Sequence, residues 1–76
     1  MDAIRLTETQ AIMIETNIDG FVACRRKDTM AKLVKLGLVV PYSDGISGML
    51  TPLGRWVEEL LTKYSGQRYF SLGTHS

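Results

Sequence analysis

Four stretches of turn and cap chemistry divide this chain into short pieces: Asp19-Gly20, Gly37, the run from Ser43 to Gly48, and Thr51-Pro52. Glycine and Asp-Gly or Ser-Gly runs take turn conformations, while Thr followed by Pro opens a helix. No element between these points can be long, and the order they impose is helix, short strand, helix, hairpin, helix.

Each piece has its own internal logic. Thr7 and Gln10 have capping-box spacing, with Leu6 and Ala11 placed as a hydrophobic staple around it, which predicts a helix from Thr7 to about Asn17. Ala11, Ile14 and Ile18 share one face of that helix. Ile12 and Met13 fall elsewhere, so the helix is apolar nearly all round and is expected to be central. Phe21-Val22-Ala23 suits a short strand after the turn. Asp28 is the expected N-cap of the second helix and Gly37 its stop. In that helix Met30, Leu33 and Val34 cluster on one side, and Asp28, Ala31, Lys32 and Lys35 on the other. Leu38-Val39-Val40, ended by Pro41, and Met49-Leu50 form the two arms of a hairpin. The last helix starts at Thr51-Pro52 and carries an apolar stripe of Leu53, Val57, Leu60, Leu61 and Tyr64. Residues 1–64 therefore read as one domain. Residues 65–76 read as a tail, either flexible or docked through Tyr69, Phe70 and Leu72.

Seventy-six residues suffice for one modest core, whose marginal stability would benefit from a partner. The lone Cys24 and lone His75 provide neither an internal disulfide nor a structural zinc site, so no metal or cofactor is expected. The free thiol suits a reducing compartment, and no apolar run approaches the roughly 20 residues of a membrane span. A cytoplasmic protein with no membrane partner is the expectation. The inventory also points away from catalysis. It contains no nucleophile-base pair and no phosphate-cradling glycine loop, and the adjacent Glu58 and Glu59 point in different directions on a helix.

Charge is unevenly spread. Net charge is only +1, yet Arg25, Arg26, Lys27, Lys32 and Lys35 face a single acid, Asp28, within eleven residues, a local net of +4. The rest of the chain carries four cations and seven acids. Such a basic stretch is either a solvated helix face or a surface for phosphates, because lysine and arginine displace counterions from a duplex.

Residues 29–39, Thr-Met-Ala-Lys-Leu-Val-Lys-Leu-Gly-Leu-Val, resemble the end of the recognition helix and the start of the wing in winged-helix DNA-binding domains. Leu50-Thr51-Pro52-Leu53-Gly54-Arg55 is similar to that family's entry into the closing helix, and Leu6-Thr7-Glu8-Thr9-Gln10 to its first-helix start. The resemblance spans Leu6 to Leu61. It implies a small α+β domain of three helices with a β-hairpin wing, and a recognition helix laid in the major groove. Under it, Lys32 and Lys35 face the groove, Asp28 and Thr29 reach base edges or phosphates, and Arg25, Arg26 and Lys27 clamp the flanking backbone. One departure stands out. Only eight residues separate Asp19 from Asp28, so the supporting helix of a helix-turn-helix is either a single turn near Ala23 to Arg26 or missing.

The expected function is a small transcriptional regulator or accessory protein bound to double-stranded DNA. Sequence discrimination should be weak, because the outer face offers no arginine, asparagine or glutamine for bidentate base reading. The alternative is a protein-interaction module of the same shape, for example a phage or plasmid factor modulating a host protein. A homodimer through the first helix or the tail fits either reading. The wing, with Ser43, Asp44, Ser47 and Gly48, reads as turn chemistry.

Overall fold

The computed structural model describes residues 3–71, which form a small α+β domain of three helices and two antiparallel sheets. The elements run β1 (Ala3–Arg5), α1 (Glu8–Glu15), β2 (Phe21–Ala23), α2 (Lys27–Lys35), β3 (Val39–Pro41), β4 (Ser47–Leu50), α3 (Pro52–Lys63) and β5 (Tyr69–Ser71). The larger sheet has the order β2-β4-β3, so the β3–β4 hairpin is the wing and β2 pairs with its returning arm. This arrangement is compatible with a winged-helix-like domain.

The helix starts follow the cap chemistry. The Thr7 hydroxyl accepts from the Gln10 N–H at 3.2 Å, and the Gln10 side-chain oxygen accepts from the Thr7 N–H at 3.0 Å, closing the capping box. Leu6 and Ala11 beside it are both buried, as a staple requires. Thr51 caps α3 by accepting from the Gly54 N–H at 3.0 Å, and its hydroxyl donates to the Gly37 carbonyl at 2.6 Å. That second bond fastens the start of α3 to the end of α2. Helix α2 stops in a paired reversal: the Gly37 N–H donates to Val34 at 2.9 Å and the Leu38 N–H to Leu33 at 3.0 Å. Gly37 sits at φ +80°, where a side chain would strain the backbone.

Several expectations need correction. Arg26, not Asp28, is the N-cap of α2, with no side-chain cap bond; Asp28 lies in the first turn, where a carboxylate still favours the helix dipole. Helix α1 ends at Glu15, so Ile18 leaves the face it was expected to share and is exposed, pairing instead with Phe21 across a tight turn. Ile12 is also exposed, so α1 is not buried all round; only Gln10, Ala11 and Ile14 are. Strand β3 starts at Val39 rather than Leu38 and ends on Pro41, which is its last residue and which an edge strand tolerates. Cys24 to Arg26 is a loop, so among the described residues no helix lies between β2 and α2.

The core joins all layers: Ile4 from β1, Ala11 and Ile14 from α1, Met30 and Leu33 from α2, Val57 and Leu61 from α3, and Phe70 from β5. Strands β1 and β5, absent from the sequence reading, pair antiparallel with Ile4 opposite Phe70. The segment after Tyr64 therefore docks on the body through Ser71. Leu72 and His75 lie outside the described residues. Trp56 stacks edge-on against Phe70 at 6.4 Å and stays partly exposed, a lid over the core. Burial pushes the Cys24 thiol pKa up, so the thiol remains protonated and unreactive at neutral pH. On the outer face of the larger sheet, Phe21, Met49 and Val40 line up in register, with Tyr42 at 6.0 Å from the Phe21 ring. Phe21, Val40 and Tyr42 are all exposed. No helix of the described residues is long and apolar enough to cross a membrane.

Candidate nucleic-acid interface

The outer face of α2 has the composition its spacing predicts. Asp28, Ala31, Lys32 and Lys35 are exposed, while Met30 and Leu33 are fully buried. Lysines in the last turn also suit the helix dipole, which gives Lys32 and Lys35 a local structural role as well. Arg25 and Arg26 are exposed on the loop leading in, and Arg26 pairs with Asp28 at 3.4 Å across open solvent. Such an exposed pair contributes little to stability, and a stronger anion would readily displace the carboxylate. Lys27 turns the other way, its stem lying against the wing turn: its Cε would be 3.7 Å from a Cβ placed at Gly45.

Two grooves flank α2 where it meets the start of α1. One, of about 390 Å³, is lined by Thr7, Thr9 and Gln10 on one wall and Arg26, Asp28, Thr29 and Lys32 on the other. The second, of about 380 Å³, runs towards the end of α2 between Arg5, Leu6, Thr7 and Gln10 and the residues Lys32, Lys35 and Leu36. Lys32 stands between the two. Five of the seven candidate residues, Arg26, Asp28, Thr29, Lys32 and Lys35, thus line these grooves, and Lys27 runs from the start of α2 to the wing. Arg25 is exposed on the approach but lines neither groove.

Arg5 is the functional candidate missed by sequence reasoning. It is exposed at the end of β1, with its guanidinium 5.4 Å from the centre of the Tyr69 ring. Its signal was weak, since nothing in three residues of strand marks β1 as a neighbour of α2. Arg68, by contrast, is committed elsewhere: it is mostly covered, pairs with Glu8 at 3.3 Å and donates to the Gln67 carbonyl at 2.8 Å. Arg55 packs its guanidinium against Gly20. Glu58 accepts a hydrogen bond from Asn17, and this ties the end of α1 to α3.

The wing contributes geometry rather than charge. The Asp44 carboxylate accepts from the Ile46 and Ser47 N–H groups, both at 2.9 Å, and from the Ser47 hydroxyl at 2.5 Å. The hydroxyl bond first, and then the two backbone bonds, hold the Asp44 carboxyl below the usual carboxylate range. Its contribution to hairpin order is therefore present above about pH 3.9, the ordinary aspartate value, and is lost as pH falls through the lower folded value. Amide shifts of Ile46 and Ser47 followed by NMR should titrate with a midpoint below that ordinary value. A midpoint at or above it would mean that the turn bonds do not persist in solution.

Among the described residues no group of His, Cys, Asp and Glu is placed to hold a metal ion. No protein family, curated protein or solved structure was found to match this chain.

Proposed function

We propose that this protein is a DNA-binding regulator or accessory factor of winged-helix type, acting in the cytoplasm, that holds duplex DNA along α2 and performs no catalysis. The observation that carries the reading is the gathering of Arg5, Arg26, Lys32 and Lys35 around two open grooves on one face. Among the described residues only Arg26 of these four has a carboxylate partner, and that pair is exposed. The first turn of α2 adds backbone N–H groups that no capping side chain satisfies, a suitable seat for a phosphate beside Thr29. Arg25 and Lys27 extend the positive surface along the approach loop and towards the wing. Missing the supporting helix, the domain presents the start of α1 beside α2 instead, so Thr7, Thr9 and Gln10 replace it as the second wall.

The test is fluorescence anisotropy of a labelled random duplex titrated at low and near-physiological salt. Binding should fall in the micromolar range or weaker and decline steeply with salt, as non-specific contacts do. Lys32→Ala/Lys35→Ala should weaken binding on every sequence and reduce the slope of log K against log salt by about 2, roughly one unit per lost phosphate contact. Unchanged affinity in that variant would remove α2 from the interface.

A second reading has its own support: the exposed row of Phe21, Met49 and Val40, with Tyr42 beside it, is an uncharged apolar face suited to a protein, including a second copy of this chain. It puts a homodimer on the sheet rather than on the first helix or the tail, the surfaces expected from sequence. Under this reading, Lys32→Ala/Lys35→Ala leaves binding intact and Val40→Glu abolishes it.

A further inference from the structure

The groove at the far end of α2 has a chemistry that phosphate recognition does not use. Leu6 and Leu36 belong to its lining, and the aliphatic stems of Arg5, Lys32 and Lys35 add carbon to its rim. Its only ionic groups are those three cations; Asp28 lies in the neighbouring groove, paired with Arg26. A sugar-phosphate strand would meet the three charges. Leu6 is almost wholly buried and closes the floor, so the apolar surface that such a strand would leave uncovered is the half-buried Leu36 with the stems of the three cations. A carboxylate-bearing chain with an apolar side chain between its acids would satisfy both. The volume of about 380 Å³ accommodates one large side chain with its flanking backbone, near the lower end for ligand sites.

We propose that this groove binds an acidic segment of a partner protein, seating one leucine-sized side chain against Leu6 and Leu36 while flanking carboxylates meet Arg5, Lys32 and Lys35. Lys32 and Lys35 are also the lysines assigned to DNA, so such a partner excludes duplex from α2. The acidic segment is then a regulator of the same surface. Its binding does not depend on the DNA reading, because the contacts it needs are present in the protein alone.

The experiment follows leucine methyl groups of the whole chain by NMR during titration with the synthetic peptide Asp-Glu-Asp-Leu-Glu-Asp-Glu, blocked at both ends. Parallel titrations use the same peptide with alanine in place of leucine, and a random duplex. Methyl signals of Leu6 and Leu36 should move with the leucine peptide. The alanine peptide should bind about tenfold more weakly, the worth of one buried side chain. Lys35→Glu should weaken the leucine peptide by about tenfold, with core methyl signals of Ile14 and Leu61 unmoved to show an intact fold. Equal affinity of the two peptides would overturn the proposal, since charge alone would then account for binding. So would shifts confined to the sheet face around Val40, or no shift at millimolar peptide. Loss of duplex binding with peptide binding retained would sink only the DNA reading.

Discussion

Phe70→Ala is expected to lower Tm by about 15–30 °C. The side chain is 1% exposed, lies opposite Ile4 in the β1–β5 ladder and takes the edge of Trp56. Removing a buried phenylalanine costs about 3–5 kcal/mol once the cavity is included. A chain of 76 residues has about 4–11 kcal/mol in all, and each kcal/mol is about 4–8 °C at this size. Thermal melts by circular dichroism give the answer directly, with Tyr69→Ala, at an exposed neighbouring position, as the comparison. A Phe70→Ala melt within a few degrees of the parent would mean that β5 is not part of the core.

Gly54→Ala is the second large effect, and here two tendencies oppose each other. Alanine is favoured over glycine inside a helix by about 1 kcal/mol. Gly54, however, is buried where α3 crosses the chain after α2. A Cβ there would overlap the Leu38 carbonyl and come 3.0 Å from Leu50 Cδ2. The Leu38 carbonyl accepts the Thr51 N–H at 2.9 Å, so it cannot swing away without loosening the helix start. Overpacking against fixed backbone should outweigh the propensity gain, leaving a net loss of about 2 kcal/mol or more. Chemical denaturation checks the sign, and the exposed Glu59→Ala on the same helix should stay within about 0.5 kcal/mol. A stabilised Gly54→Ala would show that α3 does not sit so close to Leu38.

The helices and the wing were legible because their signals are local. A capping box, a Thr-Pro start and a glycine stop each act within four residues, so Thr7, Thr51 and Gly37 occupy their expected roles. The α2 face was legible for the same reason: its spacing placed Met30 and Leu33 inside and Lys32 and Lys35 outside. Strands β1 and β5 were not legible. Each is three residues long with one buried side chain, too short to show a period, and each exists only because the other is paired with it from 66 positions away at Ile4 and Phe70. The candidate interface inherits that blind spot. Its α2 wall was apparent, but Arg5, Leu6 and Gln10 enter only once β1 and α1 are packed beside it. Asp28 misled for a different reason: aspartate suits an N-cap, but extended backbone at Arg26 and helical geometry from Lys27 move the boundary two residues earlier.

The β1–β5 ladder also determines how the molecule answers to force. Ala3 lies opposite Ser71, and from there the two strands run away from the ends of the described chain in parallel lines, towards Arg5 opposite Tyr69. Tension applied at Ala3 and Ser71 acts along the cross-strand hydrogen bonds rather than across them, and loads them one rung at a time. The domain therefore peels open from this corner under modest pull, withdrawing Ile4 and Phe70 before α2 and the wing are stretched.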